Sequence, residues 1–93
     1  QFWDAKMVVR NLDFDPARRE ELTKTLMVDK KLPAFAEEPV KVSYLDGCKV
    51  YFENGWVVVR FSGTEPLLRI FAEMPTEAEA DAFCGIFADF LKL

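Results

Sequence analysis

Apolar and polar positions alternate most sharply from Val40 onward. Val40 to Leu45, Cys48 to Glu53 and Trp56 to Ser62 are short runs rich in β-branched and aromatic residues, the composition that suits a pleated, half-buried surface. Asp46-Gly47 and Asn54-Gly55 separate them, and both dipeptides are two-residue hairpin turns. The pattern predicts a three-stranded antiparallel meander. Leu67 to Met74 reads as a further strand with Leu68, Ile70, Ala72 and Met74 on its buried side, although its place in the sheet does not follow from the pattern.

Upstream, Phe2 to Leu12 alternates around Met7-Val8-Val9 and predicts a first strand. Asp15 offers an N-cap with Pro16 at the first helical position, a strong start signal. The helix should run to about Val28 and turn Leu22 and Leu26 inward. Arg18-Arg19-Glu20-Glu21 reads mostly as its solvated face. Asp29 to Pro39, with Pro33 and Pro39, is loop-like, because proline lacks the N–H that helices and ladders need. Thr76 opens a last helix and Glu79 supplies the second half of a capping box. Ala80, Phe83, Phe87, Phe90 and Leu91 form its apolar face. Strand, helix, four strands, helix is the predicted order: an α+β fold, an antiparallel sheet with both helices on one face.

Register follows from the turns. Residues flanking a two-residue turn pair directly, and paired residues share a face. Leu45 then sits beside Cys48 and Glu53 beside Trp56. One face carries Leu45, Cys48, Val50, Phe52, Val57, Val59 and Phe61 and belongs under the helices. The other carries Val42, Tyr44, Lys49, Tyr51, Trp56, Val58, Arg60 and Ser62, with Lys49 across from Arg60. Arg69 lies opposite the buried side of its strand, so both arginines reach the open face. Tyr44, Tyr51, Trp56 and Val58 make an apolar patch there, a surface for contact with another domain.

Ninety-three residues, 51% apolar and 30% charged, describe one ordinary globular domain. No apolar run nears the roughly 18 residues of a membrane span, and no signal peptide is visible, so a cytoplasmic setting is expected. The chain starts with Gln1 and not Met, which suggests a piece of a longer protein. Cys48 and Cys84 read as reduced core residues, as two cysteines without a secretory segment usually are. The absence of histidine removes the commonest metal ligand and general base. A formal net charge of −4 argues against a nucleic-acid partner, but not against one phosphate, since distant charges are screened.

The candidate chemistry lies in Arg60-Phe61-Ser62-Gly63-Thr64-Glu65-Pro66-Leu67-Leu68-Arg69, a loop between two strand-like runs. Ser62 and Thr64 can donate O–H bonds, and Gly63 lets successive N–H groups turn toward one anion. The arginines supply charge and a planar fork that fits phosphate oxygens. Alternatives stay open at this stage. The Ser-Gly-Thr tripeptide equally suits a plain turn, Arg60 could pair with Glu53 or Glu73, and Arg69 with Glu65 or Glu73. Glu65 and Pro66 read as shaping the loop.

As a whole, Arg-x-Ser-Gly-Thr-Glu-Pro-x-x-Arg resembles the phosphate-binding loop in the C-terminal domain of the α-D-phosphohexomutases. The resemblance covers roughly the whole chain, by pattern only before about Val40, and the predicted element order is similar to the TBP-like fold of that domain. It implies that residues 1–93 are a phosphate-recognition domain of an enzyme moving phosphate between the 1- and 6-positions of a hexose through a phosphoserine. Arg60, Ser62, Gly63, Thr64 and Arg69 would hold the substrate phosphate. The chain has no Thr-Ala-Ser-His-Asn-Pro nucleophile segment, Asp-Gly-Asp-Gly-Asp-Arg metal loop or Gly-Glu-x-Ser-Gly sugar loop. The resemblance therefore implies no catalytic or metal-binding residue and no cofactor here, Mg²⁺ belonging to another domain of the parent. The implied partners are a phosphosugar and the other parent domains, with no nucleic acid and no membrane. A free-standing regulatory domain for a phosphorylated ligand is the alternative.

Overall fold

The computed structural model describes residues 6–35, 37–45 and 47–93. The start of the first predicted strand and Asp46 of the first predicted turn lie outside them. Five strands form one antiparallel sheet: β1 (Lys6–Asp13), β2 (Lys41–Ser43), β3 (Cys48–Phe52), β4 (Gly55–Phe61) and β5 (Leu67–Met74), in the order β1-β5-β4-β3-β2. The order supplies what the pattern could not: β5 lies between β4 and the chain's first strand. It pairs with β1 over eight positions, from Lys6 opposite Met74 to Asp13 opposite Leu67.

Period-2 patterning decides which face is buried. Val50, Val57, Val59, Leu68, Ile70, Ala72 and Met74 all point to one side and are buried. The two helical segments among the described residues cover that side. The first begins with a 3₁₀ turn (Pro16–Arg18) where Asp15 Oδ1 accepts from Ala17 N–H at 3.0 Å. It continues as α1 (Arg19–Thr23) and ends in a π-helical turn (Lys24–Val28). Leu22 and Leu26 enter the same core as the strands. In α2 (Glu77–Phe90) Thr76 Oγ1 accepts from Glu79 N–H at 3.1 Å and its hydroxyl donates to the Glu79 carboxylate at 3.0 Å. The second half of the cap thus runs between side chains. Ala80, Phe83, Phe87 and Leu91 are buried as predicted, joined by Cys84, while Phe90 is half-buried.

Two turns depart from the expected geometry, with different consequences. Ser43 pairs with Lys49, and the same register puts Tyr44, not Leu45, opposite Cys48. A one-residue slip turns every side chain of β2 over. Val42 and Tyr44 consequently pack on the core instead of the open face, and Leu45 is 92% exposed instead of inward. The cause is Gly47. Its φ is +111°, and a Cβ there would stand 2.3 Å from the Val59 carbonyl oxygen. Three residues then separate the paired positions, a loop length that takes glycine at positive φ.

At the other turn, Phe52 pairs with Gly55, so Glu53-Asn54 is the turn and Gly55 belongs to β4. A Cβ on Gly55 would lie 1.9 Å from the Glu73 carbonyl oxygen, so this glycine serves the close approach of β5. The shift is by two residues, which preserves the faces of β3 and β4. It does move Lys49 opposite Val58, not Arg60.

The segment between the π turn and β2 is irregular as predicted, yet Phe35 reaches from it into the core. Its ring centroid lies 5.0 Å from that of Phe52 and 5.6 Å from those of Phe83 and Phe87. Both cysteines are free and buried, and burial pushes each thiol up to about 11. The resulting core is closed by the chain's own residues, with no buried charged side chain among the described residues.

Candidate functional site

β4 ends at Phe61 and β5 begins at Leu67, so the intervening Ser62 to Pro66 must reverse the chain. Backbone bonds fix its base: Ser62 N–H donates to Leu67 O at 2.8 Å, and Leu67 N–H to Glu65 O at 2.8 Å. Phe14 N–H, just past β1, donates to Pro66 O at 3.0 Å. Within the loop Ser62 Oγ accepts from Thr64 N–H at 3.4 Å and from Glu65 N–H at 3.3 Å. A hydroxyl that accepts twice still has one proton to give, so Ser62 keeps a donor for a further partner. The Thr64 hydroxyl makes no hydrogen bond among the described residues, and Gly63 to Pro66 are exposed.

Gly63 has no atom within 4 Å of where a Cβ would be, and its φ is not in the left-handed region. The turn itself does not require glycine there. What glycine leaves is room for close approach from outside.

One side chain that contacts the loop was missed from the sequence. Arg19 is not on a solvated face: Nη2 donates to Ser62 O at 3.0 Å and to Glu65 O at 2.7 Å. Its guanidinium lies 5.5 Å from the Phe14 ring centroid and 5.8 Å from that of Phe61. These two rings meet edge to face at 5.9 Å. Arg18 is also engaged, donating to Leu91 O at 2.8 Å and to Glu21 at 2.9 Å. The signal available was only that arginines at the start of a helix oppose its dipole, which asks for some other partner.

The two predicted arginines come together. Arg60 and Arg69 stand directly opposite each other on β4 and β5, on the uncovered face and next to the loop. Like charges placed so are unfavourable across a strand pair. Arg69 forms no ion pair with Glu65 or Glu73, and Arg60, which has a partner of its own in the chain, is not paired with Glu53 or Glu73. Beyond Arg60 the open face sinks into a shallow hollow of about 320 Å³, lined in part by Lys49, Tyr51, Trp56, Val58 and Phe71. Lys49 Nζ sits 4.9 Å from the Tyr51 ring centroid and 4.5 Å from that of Trp56. Cations over aromatic faces are the character of this surface.

Among the described residues no group of three or more carboxylates or thiols converges to hold a metal ion. Nor is any helix among them long and apolar enough to cross a membrane.

Comparison with known proteins agrees with the shape. Residues 17–90 match the family described as phosphoglucomutase/phosphomannomutase, C-terminal domain. A phosphoglucomutase/phosphomannomutase of Thermococcus kodakarensis is 39% identical over 79 residues, covering 85% of this chain and 17% of that protein. A phosphoglucosamine mutase of Streptococcus suis is 54% identical over 39 residues, 42% of this chain and 9% of that protein. The chain thus spans less than a fifth of the length of these relatives.

Proposed function

The chain belongs to the phosphoglucomutase/phosphomannomutase family as its C-terminal domain, and from that premise we propose that it holds the non-reacting phosphate of a phosphosugar. Residues 1–93 are then one domain of a longer enzyme, an intramolecular phosphotransferase acting on hexose 1- and 6-phosphates. Arg60 and Arg69 supply the charge. Ser62, Thr64 and the Gly63 N–H supply neutral donors at the mouth of the loop.

The opposed arginines carry this reading. Arg60 and Arg69, at facing positions on adjacent strands next to the loop, can each give an anion a charge-assisted contact. Each such bond is worth about 1.5–3 kcal/mol, much of it offset by desolvation and by the cost of fixing a small ligand.

The sequence holds no nucleophile segment, so the phosphoserine and the sugar contacts are assigned to the remainder of the enzyme, and this domain alone is expected to be inactive. Mg²⁺, which the resemblance implies for the parent enzyme, is assigned there as well. The grip on the far phosphate contributes by orienting the substrate, so that binding energy at this loop lowers the barrier at a distant reacting group.

Steady-state kinetics on the full-length enzyme test the reading. Arg60→Ala is expected to lower kcat/KM by an equivalent of about 2–4 kcal/mol. Arg60→Lys should restore only part, because a point charge lacks the planar fork, and Arg69→Ala should cost less. An Arg60→Ala enzyme with unchanged kcat/KM would rule the phosphate clamp out.

A further inference from the structure

We propose that Arg19 is a positioning residue for the anion-facing loop: it holds loop carbonyls inward so that the Gly63 N–H points out. The proposal rests on the phosphate reading of that loop. It starts from the two bonds of Arg19 Nη2, to Ser62 O at 3.0 Å and to Glu65 O at 2.7 Å. In a trans peptide the C=O and the next N–H point in opposite directions, and no described peptide is cis. Fixing the Ser62 carbonyl toward the helix therefore turns the Gly63 N–H away from it. That N–H has no partner among the described residues, and the space over Gly63 is open.

The second bond has a different effect. Glu65 precedes Pro66, which carries no N–H, so no amide is aimed by it. Glu65 O also accepts from Leu67 N–H at 2.8 Å, and Arg19 adds a second donor that closes the loop. Both carbonyl oxygens would repel an anion if they turned outward. The guanidinium that holds them lies against the Phe14 and Phe61 rings, so Nη2 arrives already oriented. Lysine can donate from one nitrogen, but its flexible stem carries no planar group for those rings to hold in place.

The test is a titration of the isotope-labelled 93-residue chain with inorganic phosphate, read at individual backbone amides by NMR. The unaltered chain should show a saturable shift at Gly63 and Thr64 in the millimolar range. In Arg19→Ala the Gly63 resonance should move before any phosphate is added, and the phosphate affinity should fall about tenfold, the size of one lost hydrogen bond. Arg19→Lys should recover part of that affinity. Arg60→Ala should also weaken binding, but leave the phosphate-free Gly63 resonance in place, which separates supplying charge from positioning.

If Arg19→Ala keeps both the original Gly63 resonance and the original affinity, the role of Arg19 is refuted while the loop reading stands. If phosphate moves neither Gly63 nor Thr64 in the unaltered chain, the loop reading fails and takes this proposal with it. Should Arg19→Ala not fold, Arg19→Lys decides. Weaker phosphate binding with unchanged sheet resonances supports the proposal, and unaltered binding refutes it.

Discussion

The same five strands present two faces that obey different rules. Toward the helices, β3, β4 and β5 place Val50, Val57, Val59, Leu68, Ile70, Ala72 and Met74, nearly or wholly buried. Away from them the same strands place Lys49, Tyr51, Trp56, Arg60 and Arg69, two of which are a like-charged pair across β4 and β5. On β1 the open side shows Met7 and Val9, 53% and 46% exposed. Burial of apolar area is the dominant favourable term in folding, so the first face holds the domain together. The second buries Val58 but otherwise carries charged and aromatic side chains.

If the division is right, changes on the covered face should be felt as lost stability, and heavily. Phe87 is fully buried and meets Phe35. Phe87→Ala should cost about 3–5 kcal/mol, a large part of the roughly 5–15 kcal/mol that a domain has. Urea unfolding of the chain would measure it. A loss below about 1 kcal/mol would show that the helix-side core is not where the stability lies.

A medium effect should appear in alkali. Burial raises Cys48 and Cys84 to about 11 from an ordinary 9.0. The unfolded chain therefore releases these protons first, and between about pH 9 and about pH 11 it binds fewer than the folded one. Stability is fully present below that window and falls as pH rises through it, by at most about 1.4 kcal/mol per pH unit for each thiol. Unfolding followed against pH should show a shallower decline when both cysteines are changed to alanine. An identical decline would place the ionising groups elsewhere.

The smallest effect should come from the open face. Arg69→Ala removes one of two like charges, and the stability of the chain should stay within about 0.5 kcal/mol, tending upward. Trp56→Ala sharpens the comparison, because the sequence pattern reads this face as a contact surface for another domain. Its cost, measured by thermal unfolding, should be larger in the full-length protein than in this chain. Equal costs in both would leave the open face without that partner, and an Arg69→Ala loss above about 1 kcal/mol would break the division between the faces.

Much of this was legible in the chain, for physical reasons that differ by residue. The alternation of Leu68, Ile70, Ala72 and Met74 has one solution once the core face is known, and Thr76 and Asp15 are local caps that need no tertiary knowledge. The arginines' shared face followed from parity alone. What failed were features set by distant backbone. Gly55 looks like a turn glycine, but the Glu73 carbonyl decides its use. Gly47 takes the positive φ, and its place in a three-residue connection turned β2 over. Phe35 gave no periodic signal, because it enters the core from an irregular segment. Arg19 looked like half of a charged surface run, and its partners are carbonyls, which no side-chain pattern encodes.

The contact between Arg19 and the loop also bears on how far the ten-residue motif can travel. Its carbonyls are held by a side chain 43 and 46 positions away in sequence, and the Pro66 carbonyl by the N–H of Phe14. A synthetic peptide spanning Arg60 to Arg69 carries every donor assigned to the phosphate and none of these restraints. Grafted into a foreign hairpin, it would bring the letters of the site without the posture. The contacts that hold the loop reach at least as far as Phe14 and Arg19. A search by motif therefore finds the words of this site, whereas its grammar is written near the other end of the chain.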